Sequence, residues 1–377
     1  MKTDSMWEPA QPAERYPVID ILRGIALFGV LMVNLETGFR LPLLELIHNH
    51  PVETAWADQL ANLLMLRLLE FKAITIFSFL FGVGIAMQAG RFASSGVSIR
   101  GFLARRFGWL FVLGTVHMFL IWNGDILMLY AVCGLLLLPS LGLRWQALAV
   151  IGAVAMALPE FVEIAPSIPS GAAALAEIAK ARDVYLNGSI VSILAYRWHE
   201  AWALIFPLEI SILFRTVGLM HWGMAAWRIG ILREPELHRG KLLAALALGT
   251  VGGSLYPSTP SLLALAYVSA LLLLLTPARA AWLPGLAATG RMALTNYLVQ
   301  SIVLGFIFYG YGFGLFGRTG SAAGAAIGVA IYLAQIQLSR WWLRHFQFGP
   351  FEWLWRALTY GRRQPMRRVG GAHFRIR

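Results

Sequence analysis

Apolar runs of about 17–25 residues, long enough to cross a bilayer as helices, recur along the chain and are parted by short polar stretches. They fall near residues 18–37, 58–89, 102–122, 124–140, 144–160, 202–228, 241–256, 260–277, 292–311 and 321–343. That pattern predicts an all-α fold, a polytopic transmembrane bundle of about ten helices. The second run is long, and its first half, from Asp58 to Lys72, is expected to lie partly in the interface. Tyr256-Pro-Ser-Thr-Pro260 supplies the turn between the seventh and eighth runs. The largest polar stretch, 161–200, is too short for a domain, though Ala172 to Lys180 reads as a short helix within it.

The pattern changes after residue 348. A bundle over 1–348 is followed by a segment over 349–377 in which Gly349-Pro-Phe-Glu-Trp-Leu-Trp-Arg-Ala-Leu-Thr-Tyr-Gly361 precedes Arg362, Arg363, Arg367 and Arg368. Aromatics interleaved with charge, then a basic tail, predict an interfacial amphipathic helix on the cytoplasmic leaflet.

Loop charges give the orientation. Arg91, Arg100, Arg144, Arg233, Arg239, Lys241, Arg279, Arg291 and the tail from Arg344 to Arg368 fall on one side of the predicted spans. The other side receives His48, His50, Glu53, Asp58, Asn123-Gly124, the 161–200 stretch, Pro257-Ser-Thr-Pro260 and Arg318. By the positive-inside rule both termini are expected in the cytoplasm. The first apolar run carries Asp20 and Arg23 and lacks a small-residue cleavage site, so it is expected to be a retained helix.

Composition agrees. Of 377 residues, 58% are hydrophobic and 13% charged, against about 25% charged in soluble domains. The net charge of +12 sits in loops and tail, with no basic, aromatic-laced patch in a soluble domain. Membrane lipids, not nucleic acid, are therefore the expected partners. Cys133, the single cysteine, lies in an apolar run, which excludes a disulfide within the chain and a thiolate cluster. His48 and His50 lack a third ligand, so no metal is expected.

Charges at membrane depth cost roughly 2.5–3.5 kcal/mol each on insertion scales and mark candidate sites. At about 100° per residue, Asp20 and Arg23 share a face of the first helix, with Asn34 returning to Arg23's side. Lys72 has no obvious local partner, whereas Arg67 and Glu70 are spaced to neutralise each other. On the third helix Arg105 and Arg106 stand near the cytoplasmic end, and His117 lies roughly 18 Å further on. His117-Met-Phe-Leu-Ile-Trp-Asn-Gly-Asp125 predicts a helical hairpin turning at Asn123-Gly124, which returns Asp125 to the His117 end. A carboxylate beside an imidazole suits general-base work; a helix cap and an interhelical hydrogen bond are the plainer roles for the same two residues. Gly82 and Gly84 read as close helix packing. Arg215, His221, Asn296, Gln300, Gln335 and Gln337 read first as interhelical hydrogen-bonding groups, and otherwise as lining of the same cavity.

Several of these stretches carry a resemblance. Asp20-Ile-Leu-Arg-Gly-Ile-Ala-Leu-Phe-Gly-Val-Leu-Met-Val-Asn34, Lys72 ahead of Phe77-Ser-Phe-Leu-Phe-Gly-Val-Gly84, and His117 to Leu127 resemble the YeiB-like family of bacterial inner-membrane proteins, a domain of unknown function. Gly290-Arg-Met-Ala-Leu-Thr-Asn-Tyr297 and Phe348-Gly-Pro-Phe-Glu-Trp-Leu-Trp-Arg356 extend the match over nearly the whole chain. That family distantly resembles the transmembrane acyltransferases, which pass an acyl group from a cytoplasmic donor such as acetyl-CoA to a sugar or glycan on the far side. In one branch of these the first helix carries Asp, Arg and a terminal His. Asp20 and Arg23 match, but Asn34 stands where the His would be, and an amide cannot abstract a proton.

The resemblance thus implies an inner-membrane acyltransferase, O- or N-directed, acting on an envelope glycan, lipid headgroup or exported small molecule. His117 with Asp125 would be catalytic, with His48 or His50 as second choice for the base. Asp20, Arg23, Asn34 and Lys72 would bind substrate, Arg23 and Lys72 stabilising an oxyanion. Arg105 and Arg106 would hold the phosphates of an acyl-CoA donor. The same charges would also serve a transporter or flippase, or a membrane subunit without turnover.

Overall fold

The computed structural model describes residues 16–48, 53–92, 98–161, 168–256, 260–275 and 277–368. Among them the fold is helical throughout, save one isolated antiparallel bridge between Phe346 and Arg367. The first half runs α1 Pro17–Asn34, α2 Leu43–His48, α3 Trp56–Leu64, α4 Lys72–Phe92, α5 Ile99–Val116, α6 Leu127–Leu136, α7 Trp145–Phe161 and α8 Gly171–Asn187. The second runs α9 Ile190–Glu200, α10 Phe206–Ile229, α11 Arg239–Leu255, α12 Pro260–Leu274 and α13 Pro277–Ala280. It ends with α14 Pro284–Arg291, α15 Ala293–Phe308, α16 Ser321–His345 and α17 Pro350–Tyr360.

Five helical stretches are long and apolar enough to cross a membrane: Pro17–Arg40, Trp56–Arg91, Ile99–Ile121, Ile190–Ile229 and Ser321–His345. A sixth arises if α14 and α15, bent by 82° across Met292, count as one span. All ten predicted apolar runs fall on helices, but α6, α7, α11 and α12 are shorter than a full crossing. The predicted piece at Ala172–Lys180 lies inside the longer α8. Apolar side chains point outward along the bundle (Val112 and Val116 on α5, Val150 and Val154 on α7, Leu248 and Val251 on α11), as a lipid-facing surface requires. The protein is an all-α membrane protein.

The first helix is central, packing against α4, α14, α15 and α16. Next to it α4 crosses α10 at backbone distance. A Cβ on Gly82 would stand 1.9 Å from the Met220 carbonyl oxygen, and one on Gly223 2.0 Å from that of Phe79. Small residues facing each other let two helices touch in this way. The predicted interfacial stretch before Lys72 takes a sharper form. The segment breaks at Glu70–Phe71, where Phe71 adopts φ 56°, and the buried Lys72 ammonium donates to the Leu66 carbonyl at 2.8 Å.

Two ends of the bundle differ in charge. One carries Arg91, Arg106, Arg291 and Arg356, and there α17 packs on α5 and α15. The chain after α17 folds back along the end of α16, Gln347 N donating to Met366 O and Arg368 N to His345 O. The other end holds Glu36, Glu45, Glu53 and Asp58. There Arg40 pairs with Glu36 and Glu53, Arg182 with Glu45, and Asp58 accepts from Ala322 N.

Candidate functional site

A cavity of about 350 Å³ opens at the basic end and runs inward between α1, α4, α5, α6, α15 and α17. It follows α1 from Tyr16 to Val30, a length of roughly 21 Å at 1.5 Å per residue. The polar stripe of α1 faces it: Asp20 and Arg23 form an ion pair at 3.1 Å, and both line the wall. Arg91, Arg106, Arg291 and Arg356 surround the mouth, while Phe77, Phe81, Leu110 and Leu294 make the inner walls apolar. Ile126, Leu127 and Tyr297 close the inner end.

Beyond Tyr297 lies the predicted hairpin. The last turn of α5 widens into a π-helical turn at His117–Ile121, closed by Trp122 N donating to His117 O. Asn123 and Gly124 turn the chain, and Asp125 caps α6 through Met128 N at 2.7 Å from Oδ2. Its Oδ1 lies 2.8 Å from His117 Nδ1. Cap and imidazole partner are therefore one carboxylate. With Nδ1 facing that carboxylate, the proton of a neutral imidazole sits there and Nε2 keeps the lone pair. His117 is wholly buried, and Nε2 has no hydrogen-bond partner among the described residues. Such an orphan costs about 1–3 kcal/mol, which is why buried unsatisfied groups are few and often functional.

Two rings shut this imidazole in. Tyr297 approaches to 5.0 Å between ring centres, and Trp122 to 6.4 Å, edge on. Tyr297 belongs to the inner end of the large cavity. Trp122 belongs to a second pocket of about 20 Å³ on the acidic side, with Asn123, Tyr185 and Glu200 among its lining. Glu200 is buried there, its Oε2 accepting from Asn123 Nδ2 at 2.5 Å and from the Tyr185 hydroxyl at 2.6 Å.

Of the residues proposed from sequence, the structure gathers Asp20, Arg23 and Arg106 at the cavity and seats His117 with Asp125 behind its inner end. Arg106 lies over the Trp355 ring at 3.5 Å. Arg105, one residue earlier, is exposed and off the cavity. Lys72 and Asn34 line neither space; the Lys72 ammonium is engaged by Leu66, and Asn34 precedes the π-helical turn Leu35–Arg40. His48 is exposed beside the Leu44 carbonyl and lines neither space, and His50 lies outside the described residues. Gln337 is exposed, and the remaining polar groups are interhelical fasteners. His221 meets Ser140, Asn296 meets Ser339, Gln300 meets Gln335, and Arg215 meets Thr75.

Sequence reasoning missed Glu200, Tyr297 and Trp122. Glu200 carried a usable signal, an acid three residues after Arg197 at the entry to an apolar run. The rings carried none, since aromatics at helix ends are ordinary interface anchors.

These features define a class: a helical membrane protein whose buried histidine–aspartate pair is closed off between two internal spaces. Residues 215–362 match a family described as a protein of unknown function (DUF418). YxaH of Bacillus subtilis is 36% identical across 96% of this chain and 98% of its own length. A 39.9 kDa protein from the amylase 3' region of Bacillus acidopullulyticus is 28% identical over 95% and 98%, respectively. YeiB of Escherichia coli is 26% identical over 92% and 96%. The chain belongs to this YeiB-like family.

Proposed function

We propose that the protein is an acyltransferase of the bacterial inner membrane, moving an acyl group from a cytoplasmic CoA-type donor to an acceptor on the far side. The observation that carries this reading is His117 Nε2: buried, unpartnered, backed by Asp125, and set between a long basic-mouthed cavity and a small opposite pocket. The positive-inside rule turns the basic end to the cytoplasm. Arg106, with Arg91, Arg291 and Arg356, then receives the donor's phosphates. A narrow apolar cavity of about 350 Å³ suits the donor's thin arm, and the nucleotide stays at the mouth.

As Tyr297 and Trp122 turn aside, His117 Nε2 takes the proton of the acceptor hydroxyl while its oxygen attacks the thioester carbonyl. The tetrahedral intermediate expels the thiolate, which recovers that proton from His117, leaving an ester and a free thiol. Asp125 holds the ring and stabilises the imidazolium. The Tyr297 hydroxyl, which now donates to the Gly124 carbonyl at 3.4 Å, would turn with its ring to donate to the oxyanion. Lys72 is too occupied, and Arg23 too near the mouth, for the oxyanion role the sequence suggested. Protein in lipid nanodiscs should bind acetyl-CoA and release CoA; wild-type protein that does neither would remove the reading.

A carrier is the second reading, favoured by the 82° bend between α14 and α15 and by the ring on each side of His117. Solute uptake into proteoliposomes without any acyl donor would decide for it.

A further inference from the structure

The pocket on the acidic side has a chemical character of its own. Its volume of about 20 Å³ is the room of a single hydroxyl or water. The polar groups in it are already oriented by each other. The Tyr185 hydroxyl and one of the two Asn123 Nδ2 protons go to Glu200 Oε2, and the Thr37 hydroxyl spends its own on the Val33 carbonyl. No partner for Glu200 Oε1 or Asn123 Oδ1 occurs among the described residues. What the lining offers a newcomer is therefore two acceptors, Glu200 Oε1 and Asn123 Oδ1, beside two donors, the second Asn123 Nδ2 proton and the Trp122 indole N–H.

A hydroxyl, which gives one proton and accepts another, answers both kinds of group, whereas a carboxylate, phosphate or carbonyl has no proton for Glu200 Oε1 and sets lone pairs against it. Charge narrows the choice again. Arg197, one helical turn before Glu200 and almost wholly buried, balances that carboxylate from the same face of α9. A balanced site favours a neutral group over an ammonium. The half-buried Thr37 and Leu43 mark where the pocket meets the surface, and Trp122 in its lining meets the His117 ring edge on.

We infer that this pocket is a subsite for one uncharged alcohol group of a larger molecule, with Glu200 and Asn123 as its hydrogen-bond acceptors. Calling the bound alcohol an acyl acceptor rests on the proposed transfer reaction; its binding does not. It makes the reaction an O-acylation and not an N-acylation.

Glycerol is the probe, titrated into wild-type protein in nanodiscs without any donor and followed by tryptophan fluorescence and thermal unfolding. Saturable binding is expected, with ethylamine and acetate, which carry no alcohol, at least tenfold weaker. Glu200→Gln, which keeps the shape, should weaken glycerol at least tenfold. Leu43→Trp, which fills the pocket without touching the carboxylate, should abolish the response and covers the case in which Glu200→Gln misfolds. Unsaturable glycerol, equal binding of acetate or ethylamine, or an unchanged response in either folded variant overturns the subsite. Glycerol binding in a protein that releases no CoA would keep the subsite and refute only the transfer.

Discussion

Arg106 and Trp355 hold each other twice: the guanidinium lies 3.5 Å from the ring centre, and the indole N–H donates to the Arg106 carbonyl at 2.8 Å. One contact fixes the arginine side chain and the other its backbone, so α17 is fastened to α5 at the lip of the cavity. A cation over an indole face contributes about 0.5–2 kcal/mol, depending on how dry it is. Arg106→Ala should therefore weaken acetyl-CoA binding about tenfold and speed proteolysis around α17. Arg105→Ala, off the cavity, should change neither. Equal losses for the two variants, measured by donor binding in nanodiscs, would contradict this assignment.

His117→Ala should keep donor binding and lose CoA release by about 10²–10⁴-fold, the usual worth of a positioned general base. Asp125→Asn should be nearly as damaging, because an amide facing Nδ1 no longer fixes the tautomer. It should also lower thermal stability, since the same carboxylate caps α6. Full turnover in His117→Ala, read by a thiol assay, would relocate the chemistry.

Glu352 on α17 is buried and accepts from Thr295 N at 2.9 Å and from its hydroxyl at 2.5 Å. Burial, only partly offset by those bonds, raises its carboxyl above the ordinary value of 4.5. A carboxyl raised by folding binds more protons folded than unfolded, so docking of α17 weakens as pH rises from the ordinary value to the raised one, then levels off. Hydrogen exchange in α17, compared with Glu352→Gln, should show that slope only in the wild type.

Gly82→Ala and Gly223→Ala each drive a methyl into a carbonyl across the α4–α10 crossing. Overpacking of this kind costs about 1–3 kcal/mol. Both variants should unfold at lower temperature, whereas Gly90→Ala, with nothing within 4 Å of the added carbon, should not.

Helices and the hairpin were legible because a single cause, the exclusion of water, writes them into residue spacing. The His117–Asp125 pair followed from an eight-residue separation around a turn, a local fact. Lys72 shows where that reasoning stops: a lysine with no acid spaced to pair with it on a helix found a backbone carbonyl, and no pattern of side chains announces a broken helix. Glu200 is the reverse case. Its partners Asn123 and Tyr185 come from other elements, and only the packing of α8 and α9 against the hairpin brings them together.

The break at Phe71 makes two levers of one long span. A left-handed phenylalanine stores tension that a glycine would not, and the lysine beside it acts as the pin through the joint. Pull the pin and the joint loses its side-chain tie to the Leu66 carbonyl, while the shorter arm, α3, still grips α16.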